Sequence, residues 1–302
     1  MGEERRGRRA GGGGPVTAAI GRGMPAGRSQ TRALLARVGS YALLLFMAII
    51  ALYPLYLVIA NSLKSNTNVA LDPSAFPAPP TVSSYSQLVA AGQLRSFVNS
   101  LIVAGSTTVG AVFISALAGY AFTKLRFPGR AIIFAALIAT IMVPIQTAIP
   151  GFYVEFARLH WLNTYQVQIV PFLAPVFGLF MVRQYLLSVP DEIVEAARMD
   201  GAGEWSIYWR IIIPILRPVL AALGVLEFLM MWNSFVWPQV MADTSNVAPL
   251  AVTLPTLTDR TLGIVPLYGE IMAGSVLAIV PLIIVFLRYQ RAFVSGVTYG
   301  NT

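Results

Sequence analysis

The sequence predicts an all-α integral membrane protein with six transmembrane helices, and three observations carry the prediction. Hydrophobic residues make up 56% of the 302 residues and charged residues only 11%, with a mean hydropathy of +0.69; soluble globular chains carry about 25% charged residues. The apolar residues lie in long uncharged stretches spread along the whole chain, each long enough to supply the roughly 20 residues that cross about 30 Å of hydrocarbon. Strands of a membrane barrel would instead show alternating segments of about ten residues, which these uninterrupted runs do not resemble.

Taken in order, residues 1–37 combine arginines with the run "GGGG" and almost no large apolar side chains. Such a segment cannot bury a core and is expected to be a disordered basic tail facing solvent and lipid headgroups. The run 38–63 is longer than the apolar core of about 7–15 residues in a cleaved signal peptide, and is read as an uncleaved first span. Five further spans are expected at about 96–123, 131–154, 161–183, 217–240 and 264–288, the fifth broken only by Glu227 and the sixth only by Glu270. Pro54, Pro144, Pro175 and Pro281 fall inside the apolar runs. Neighbouring helices, hydroxyls or water can re-satisfy the carbonyls they free, so a kinked bundle is expected. Residues 290–302 form a short C-terminal tail.

Lysine and arginine in connecting segments stay on the cytoplasmic side. With the N-terminus inside, all of the 21 basic residues except Lys64, Arg95, Arg158 and Arg260 fall inside, so both termini are expected in the cytoplasm of a cell-membrane protein. The net charge of +8 then reports orientation and headgroup contact, with no need for nucleic acid. The chain has no cysteine and one histidine, His160, which leaves no thiolate metal site, no imidazole cluster and no expected metal. No G-x-x-x-x-G-K-[ST] loop is present, and the only lysines are Lys64 and Lys124. The chain is therefore expected to bind no ATP of its own and to be no enzyme by itself.

The exception to this apolar pattern lies between the fourth and fifth spans. Residues 191–214 read "DEIVEAARMDGAGEWSIYWRIIIP". Pro190, Asp191 and Glu192 suit the start of a helix and the positive end of its dipole. Asp191, Glu195 and Arg198 share one face, and Val194 and Ala197 another. Gly201 and Gly203 break the helix, after which Trp205, Tyr208, Trp209 and Ile212 form a stripe at helical spacing. Two short helices bent at glycine are expected. Ala196 and Ala197 would let a partner backbone approach, and Glu195 and Asp200 could accept hydrogen bonds from its arginines. Taken alone, the pattern fits equally an interfacial helix pair in which Glu195 bonds Arg198.

This stretch resembles the EAA loop of binding-protein-dependent ABC importer permeases: Glu195, Ala196, Ala197, Gly201, Ile211 and Pro214 fall in register on the family pattern, and Ile213 stands where leucine is usual. "RQYLLSVPDEI", "WNSF" and "FVSGVTYG" extend the likeness over nearly all of the chain after residue 37, and are similar to the maltose-permease-like half of the carbohydrate subgroup. The resemblance implies a type I importer fold, in which this chain pairs with a second homologous permease. It also implies that an ATP-binding subunit dimer, carrying ATP and Mg, docks on the loop 190–214. Glu195 would meet a basic residue of that dimer, and Arg198 and Asp200 would flank the contact. An extracytoplasmic solute-binding protein would deliver a sugar. The outer segment 65–95, with "NTNVALDPSAFPAPP", reads equally as a contact for it or as an ordinary proline-rich loop.

A sugar path needs hydroxyl partners and stacking rings. Glu227, Trp232 and Asn233 in the fifth span, Asn99 in the second and Gln146 in the third offer them, since polar groups at membrane depth point inward by default. Asn99 and Gln146 serve equally as helix-to-helix hydrogen bonds, and Trp237 is expected in the aromatic belt at the outer interface. Two other readings keep the same topology: an ion-coupled secondary transporter, against which the lack of a detectable inverted repeat and the single clearly buried acid, Glu227, speak, and an ABC permease for a non-sugar solute.

Overall fold

The computed structural model describes residues 26–71, 76, 79–244, 246–259 and 267–298. Of the disordered tail expected over residues 1–37, residues 1–25 lie outside them, as do the last residues of the C-terminal tail; residues 26–37 are instead the start of a helix. All regular structure among the described residues is helical, with no strand among them.

The chain divides into two compact units, residues 1–54 and 55–302. Helix α1, Ala26–Ser62, runs through the division, which falls at its internal Pro54. Its first part is a continuous apolar rod with Tyr41, Leu45 and Ile50 exposed, the surface a single crossing presents to hydrocarbon. Its last residues belong to the second unit, where Ser62 is buried and its Oγ lies 2.9 Å from the Tyr85 hydroxyl.

In the second unit, short helices α2 (Asn66–Leu71) and α3 (Ser83–Ala90) precede α4 (Gln93–Lys124). Then follow α5 (Arg130–Thr140), α6 (Ile145–Arg158), α7 (Tyr165–Ile169), α8 (Val176–Leu187) and α9 (Asp191–Met199). Helix α10 (Glu204–Ile207) runs through a five-residue π-helical stretch, Tyr208–Ile212, into α11 (Ile213–Trp232). The chain closes with α12 (Val236–Met241), α13 (Leu250–Thr253), α14 (Thr256–Asp259) and α15 (Tyr268–Thr298).

Helix α4 is the axis around which α8 and α11 pack. It contains no proline, and its small residues let α8 come close: a Cβ on Gly119 would overlap the Val182 side chain, the arrangement that lets packed helices gain dispersion contact in a membrane. At one end of α4, Asn99 donates to the carbonyls of Asn246 (3.2 Å) and Ala248 (3.1 Å) and accepts from the Tyr165 hydroxyl (2.6 Å). Nearby, the Ser100 Oγ accepts from the Leu250 amide at 2.8 Å, and Gln168 donates to the Val247 carbonyl at 3.0 Å. At the other end, Lys124 reaches Asp191. The segment between Lys124 and Tyr165 therefore travels the length of α4, about 38 Å from Asn99 to Lys124 at 1.5 Å per residue.

That distance is covered in two limbs. Helices α5 and α6 meet at 96°, so the third span is broken where a single apolar run from 131 to 154 was expected. The cause is Pro144: it disfavours a helical Val143 before it, and it is itself extended, at ψ 128. Alone, the 11 residues of α5 reach only about 16 Å. Among the described residues, five helices are long and apolar enough to cross a membrane, or six if the bent pair is one span.

The remaining boundaries also shift. Pro54 and Pro281 sit within α1 and α15, whereas Pro144 and Pro175 stand just before α6 and α8 in extended conformation. The fourth crossing runs Tyr165–Leu187 and the fifth Glu204–Trp232, earlier than the expected 217–240. Helix α15 continues past Arg288 and Arg291 to Thr298.

Candidate functional site

The segment 190–214 is built as a short helix bolted to the end of the bundle. Pro190 precedes α9 in extended conformation, at φ −55 and ψ 139, with Asp191 and Glu192 in the first turn and Arg198 in the last. This charge order suits the helix dipole. Gly201 then adopts φ +81, a region that costs most L-residues strain; a Cβ there would meet nothing within 4 Å, so conformation and not space calls for glycine.

The expected second short helix is instead the head of the fifth crossing. Trp205, Tyr208, Trp209 and Ile212 lie on the continuous rod Glu204–Trp232. Pro214 lacks the N–H that Arg210 would accept and crowds that carbonyl. The turn before it widens, so that the Ile213 amide bonds the Tyr208 carbonyl.

One face of this segment is interior. Val194 is 2% exposed, and Ala197, Ile207, Tyr208 and Ile212 are buried with it against Val182 and Leu186 of α8 and Tyr120 of α4. Ala197 thus packs inward and is not part of an outward small-residue pair. Polar links fasten the rest. Lys124 Nζ lies 2.5 Å from Asp191 Oδ1 and donates to the Val189 carbonyl at 2.6 Å. Its hydrogen bond first, and its charge second, hold the Asp191 carboxyl below the usual carboxylate range. Arg198 Nε donates to Glu204 Oε1 at 2.8 Å, and the Tyr120 hydroxyl donates to Glu204 Oε2 at 2.5 Å. Arg198 is thus committed to Glu204 and not to Glu195. Its bond to Glu204 raises its own pKa further above that of a free guanidinium.

The opposite face is open. Glu195, Ala196, Asp200 and Met199, the last 84% exposed, project outward. Ile211 is half-buried against the core cluster, and Pro214 is exposed on the rod. Tyr120, Lys124 and Glu204, which hold the segment, were not singled out by the sequence as its supports. The signal available was Lys124, one of only two lysines in the chain.

The candidate path residues are not brought together. Glu227 is buried on α11, 4% exposed, and makes no side-chain hydrogen bond or ion pair among the described residues. Trp232 is buried one turn further on, edge-on to Phe97 and stacked on Phe228, and its Nε1 donates to the Ala278 carbonyl at 3.1 Å. Asn99 spends its amide on the loop before α13, as described above. Asn233 closes α11 as an exposed residue bonded to the Leu229 carbonyl, and Gln146 is exposed at the start of α6. Trp237, expected at the outer interface, is 5% exposed: it sits among Phe152, Phe156 and Phe172 and donates to the Val167 carbonyl at 2.9 Å. Among the described residues no cluster of histidine or acids could hold a metal.

The second unit is thus a kinked helical bundle around α4 with the short helix α9 clamped on its end, and its relatives give its class, a membrane component of a transport system. The model of the binding-protein-dependent transport system inner membrane component family matches residues 89–299, and the chain belongs to that family. It is 31% identical to the arabinooligosaccharides transport system permease protein AraQ of Bacillus subtilis (strain 168), over 88% of this chain and 95% of that protein. It is 30% identical to the sn-glycerol-3-phosphate transport system permease protein UgpE of Yersinia pestis, over 85% and 94%. Among solved structures it resembles a bacterial ABC transporter involved in the import of the acidic polysaccharide alginate, with a TM-score of 0.76 and 25% identity over 86% of this chain and 96% of that one. The chain is an inner-membrane transport component of the type I ABC importer fold, and the family's membrane subunit is a permease and not itself a catalyst.

Proposed function

We propose that this chain is one permease of a binding-protein-dependent ABC importer that takes up a sugar, from a monosaccharide to an oligosaccharide or a related polyol. The observation that carries the proposal is the two-faced segment 190–214. Its inner face is fused to α4, α8 and α11 through Val194, Ala197 and Tyr208, and its outer face presents Glu195, Ala196, Met199 and Asp200. A protrusion tied to three crossings moves when they move. An ATP-binding subunit dimer that holds ATP and Mg, seated on that face, would convert closure of its nucleotide sites into a shift of the bundle between inward- and outward-facing states.

In this reading a second homologous permease completes the path and an extracytoplasmic solute-binding protein delivers the solute. Both termini and the loop 190–214 face the cytoplasm, as the basic residues indicate. The sugar assignment rests on the oligosaccharide and polysaccharide systems among the relatives, and the glycerol-3-phosphate relative keeps a phosphorylated polyol as the second reading. Glu227 is the path residue best supported, as a buried acid at membrane depth without a side-chain partner among the described residues.

Purification of the tagged chain from its native membrane tests the assembly. An ATPase subunit and a second permease should copurify, and ATP hydrolysis in proteoliposomes should rise when loaded binding protein is added. Isolation of the chain alone, from membranes that import the solute normally, would refute the proposal.

A further inference from the structure

At the end of α4 an open cavity of about 180 Å³ lies between the 124–130 turn and α9. Its charged lining is Lys124, Arg126, Arg130, Asp191, Glu195 and Arg198. Two of the cations are already neutralised, Lys124 by Asp191 and Arg198 by Glu204. Arg130 donates through one terminal nitrogen to the Thr123 (3.2 Å) and Leu125 (3.0 Å) carbonyls, which pins its guanidinium at the cavity and leaves further N–H groups to point elsewhere. Arg126 is exposed and makes no ion pair or side-chain hydrogen bond among the described residues. Asp191 and Glu195 are the acids of the lining, and Asp191 also feels the charges of Arg126 and Arg130, but with Lys124 and Arg198 the basic side chains outnumber them and the cavity keeps a positive balance.

Its depth is marked by what surrounds it. Helix α5 begins at Arg130 and is apolar on all sides with no buried residue, and Ile132 is 77% exposed. Hydrocarbon therefore begins within a turn of Arg130. On the neighbouring rod, Trp205 and Trp209 are 67% and 50% exposed, as aromatic side chains are at the headgroup level.

We infer that this cavity binds a phosphate ester, and that the ester is the headgroup of an anionic phospholipid in the leaflet on the loop side. A guanidinium presents a planar fork of donors that matches phosphate oxygens, and basic pockets beside transmembrane helices hold anionic headgroups. The leaflet, though not the site, rests on the orientation given under Proposed function. A bound headgroup would lie directly beside Glu195, so the composition of the leaflet would bear on the docking face.

The test uses the full chain in nanodiscs of phosphatidylcholine alone or mixed with phosphatidylglycerol, with retained lipid counted by native mass spectrometry. The wild type should keep phosphatidylglycerol in preference to phosphatidylcholine, and Arg126→Gln should weaken that retention about fivefold, the factor for one basic side chain near a membrane surface. Arg126 is exposed, so an unchanged melting profile shows that the fold survives. A photoreactive phosphatidylglycerol should crosslink to the 123–130 or 191–198 peptide and lose that crosslink in the variant. Displacement by millimolar inorganic phosphate, with no lipid crosslink, would make free phosphate the ligand and overturn the lipid assignment. Unchanged retention in Arg126→Gln, or a cavity that crosslinks only to an ATPase subunit in the assembled complex, would overturn the site itself. Labelling of Met199→Cys by a membrane-impermeant maleimide from outside intact cells would refute the orientation while leaving the lipid result standing.

Discussion

At the scale of single residues, the conformation of Gly201 and the charge of Glu195 make separable demands. Because φ is +81 and the space beside Gly201 is empty, the cost of substitution there is conformational, about 1–3 kcal/mol for a residue held in a sparsely populated backbone region. Function should follow the order Gly, Asn, Ala, Val, since asparagine visits this region more readily than other L-residues. Solute-stimulated ATP hydrolysis of the four proteins in proteoliposomes checks the order, and equal activity of Val and Gly would refute it. Glu195 projects outward and supports nothing inside, so Glu195→Lys should leave insertion and expression unchanged while the ATPase is shed during purification. Asp191 offers a pH test. Its carboxyl is held below the usual range by Lys124, so the link contributes fully above the ordinary aspartate pKa of about 3.9 and is lost as pH falls through the lowered value. Limited proteolysis after Met199 should therefore be unchanged between neutral pH and about pH 5, and Asp191→Asn should raise it at every pH in that window.

At the scale of elements, two contacts decide the bundle. The close approach of α4 to α8 at Gly119 leaves no room for a side chain. Gly119→Leu should push Val182 aside at a cost of about 1–3 kcal/mol, read as a lower midpoint in fluorescence-detected thermal unfolding in detergent. The bent pair α5 and α6 is the second. If together they carry the chain across, cysteines at Arg130 and Arg158 should label from opposite sides of the membrane, and labelling from one side would reduce the crossings to five. The break was legible in part. Pro144 was visible as an interruption, but whether a proline kinks or ends a helix depends on whether neighbours re-satisfy its freed carbonyls. Pro281 stays within its helix and Pro144 does not, and nothing local in the two sequences separates them.

At the scale of the whole molecule, the asymmetry of basic residues makes the strongest prediction. A reporter active only in the cytoplasm should work when fused after Thr302, and one active only outside should work near Asp243. Activity of the cytoplasmic reporter at Asp243 would break the six-crossing arrangement. The buried acid Glu227 belongs to this scale too, because in the proposed assembly the solute path forms between two permeases. Glu227→Gln keeps shape and hydrogen bonding and should lower transport less than Glu227→Ala, with stimulated ATP hydrolysis lowered less than transport in both. Equal, normal transport by both variants would remove Glu227 from the path.

The sequence by itself determined the class of the protein. Hydrocarbon tolerates only segments whose backbones are paired internally, as in long apolar helices, so composition and run length were enough to mark five long apolar helices and a sixth, broken run. The spacing from Glu195 to Pro214 marked the loop, because charged residues and glycines interrupt an otherwise apolar chain there. Only the tertiary structure decided which faces of those residues are used. Ala197 and Glu195 are two positions apart, yet one is core and the other surface. Asn99, Trp232 and Trp237 carry polar atoms that suit a sugar, but their partners are backbone carbonyls at residues 246, 248, 278 and 167. Those partners lie far away along the chain. A hydrogen bond is consumed by whatever packing brings within about 3 Å, and no local pattern records that distance.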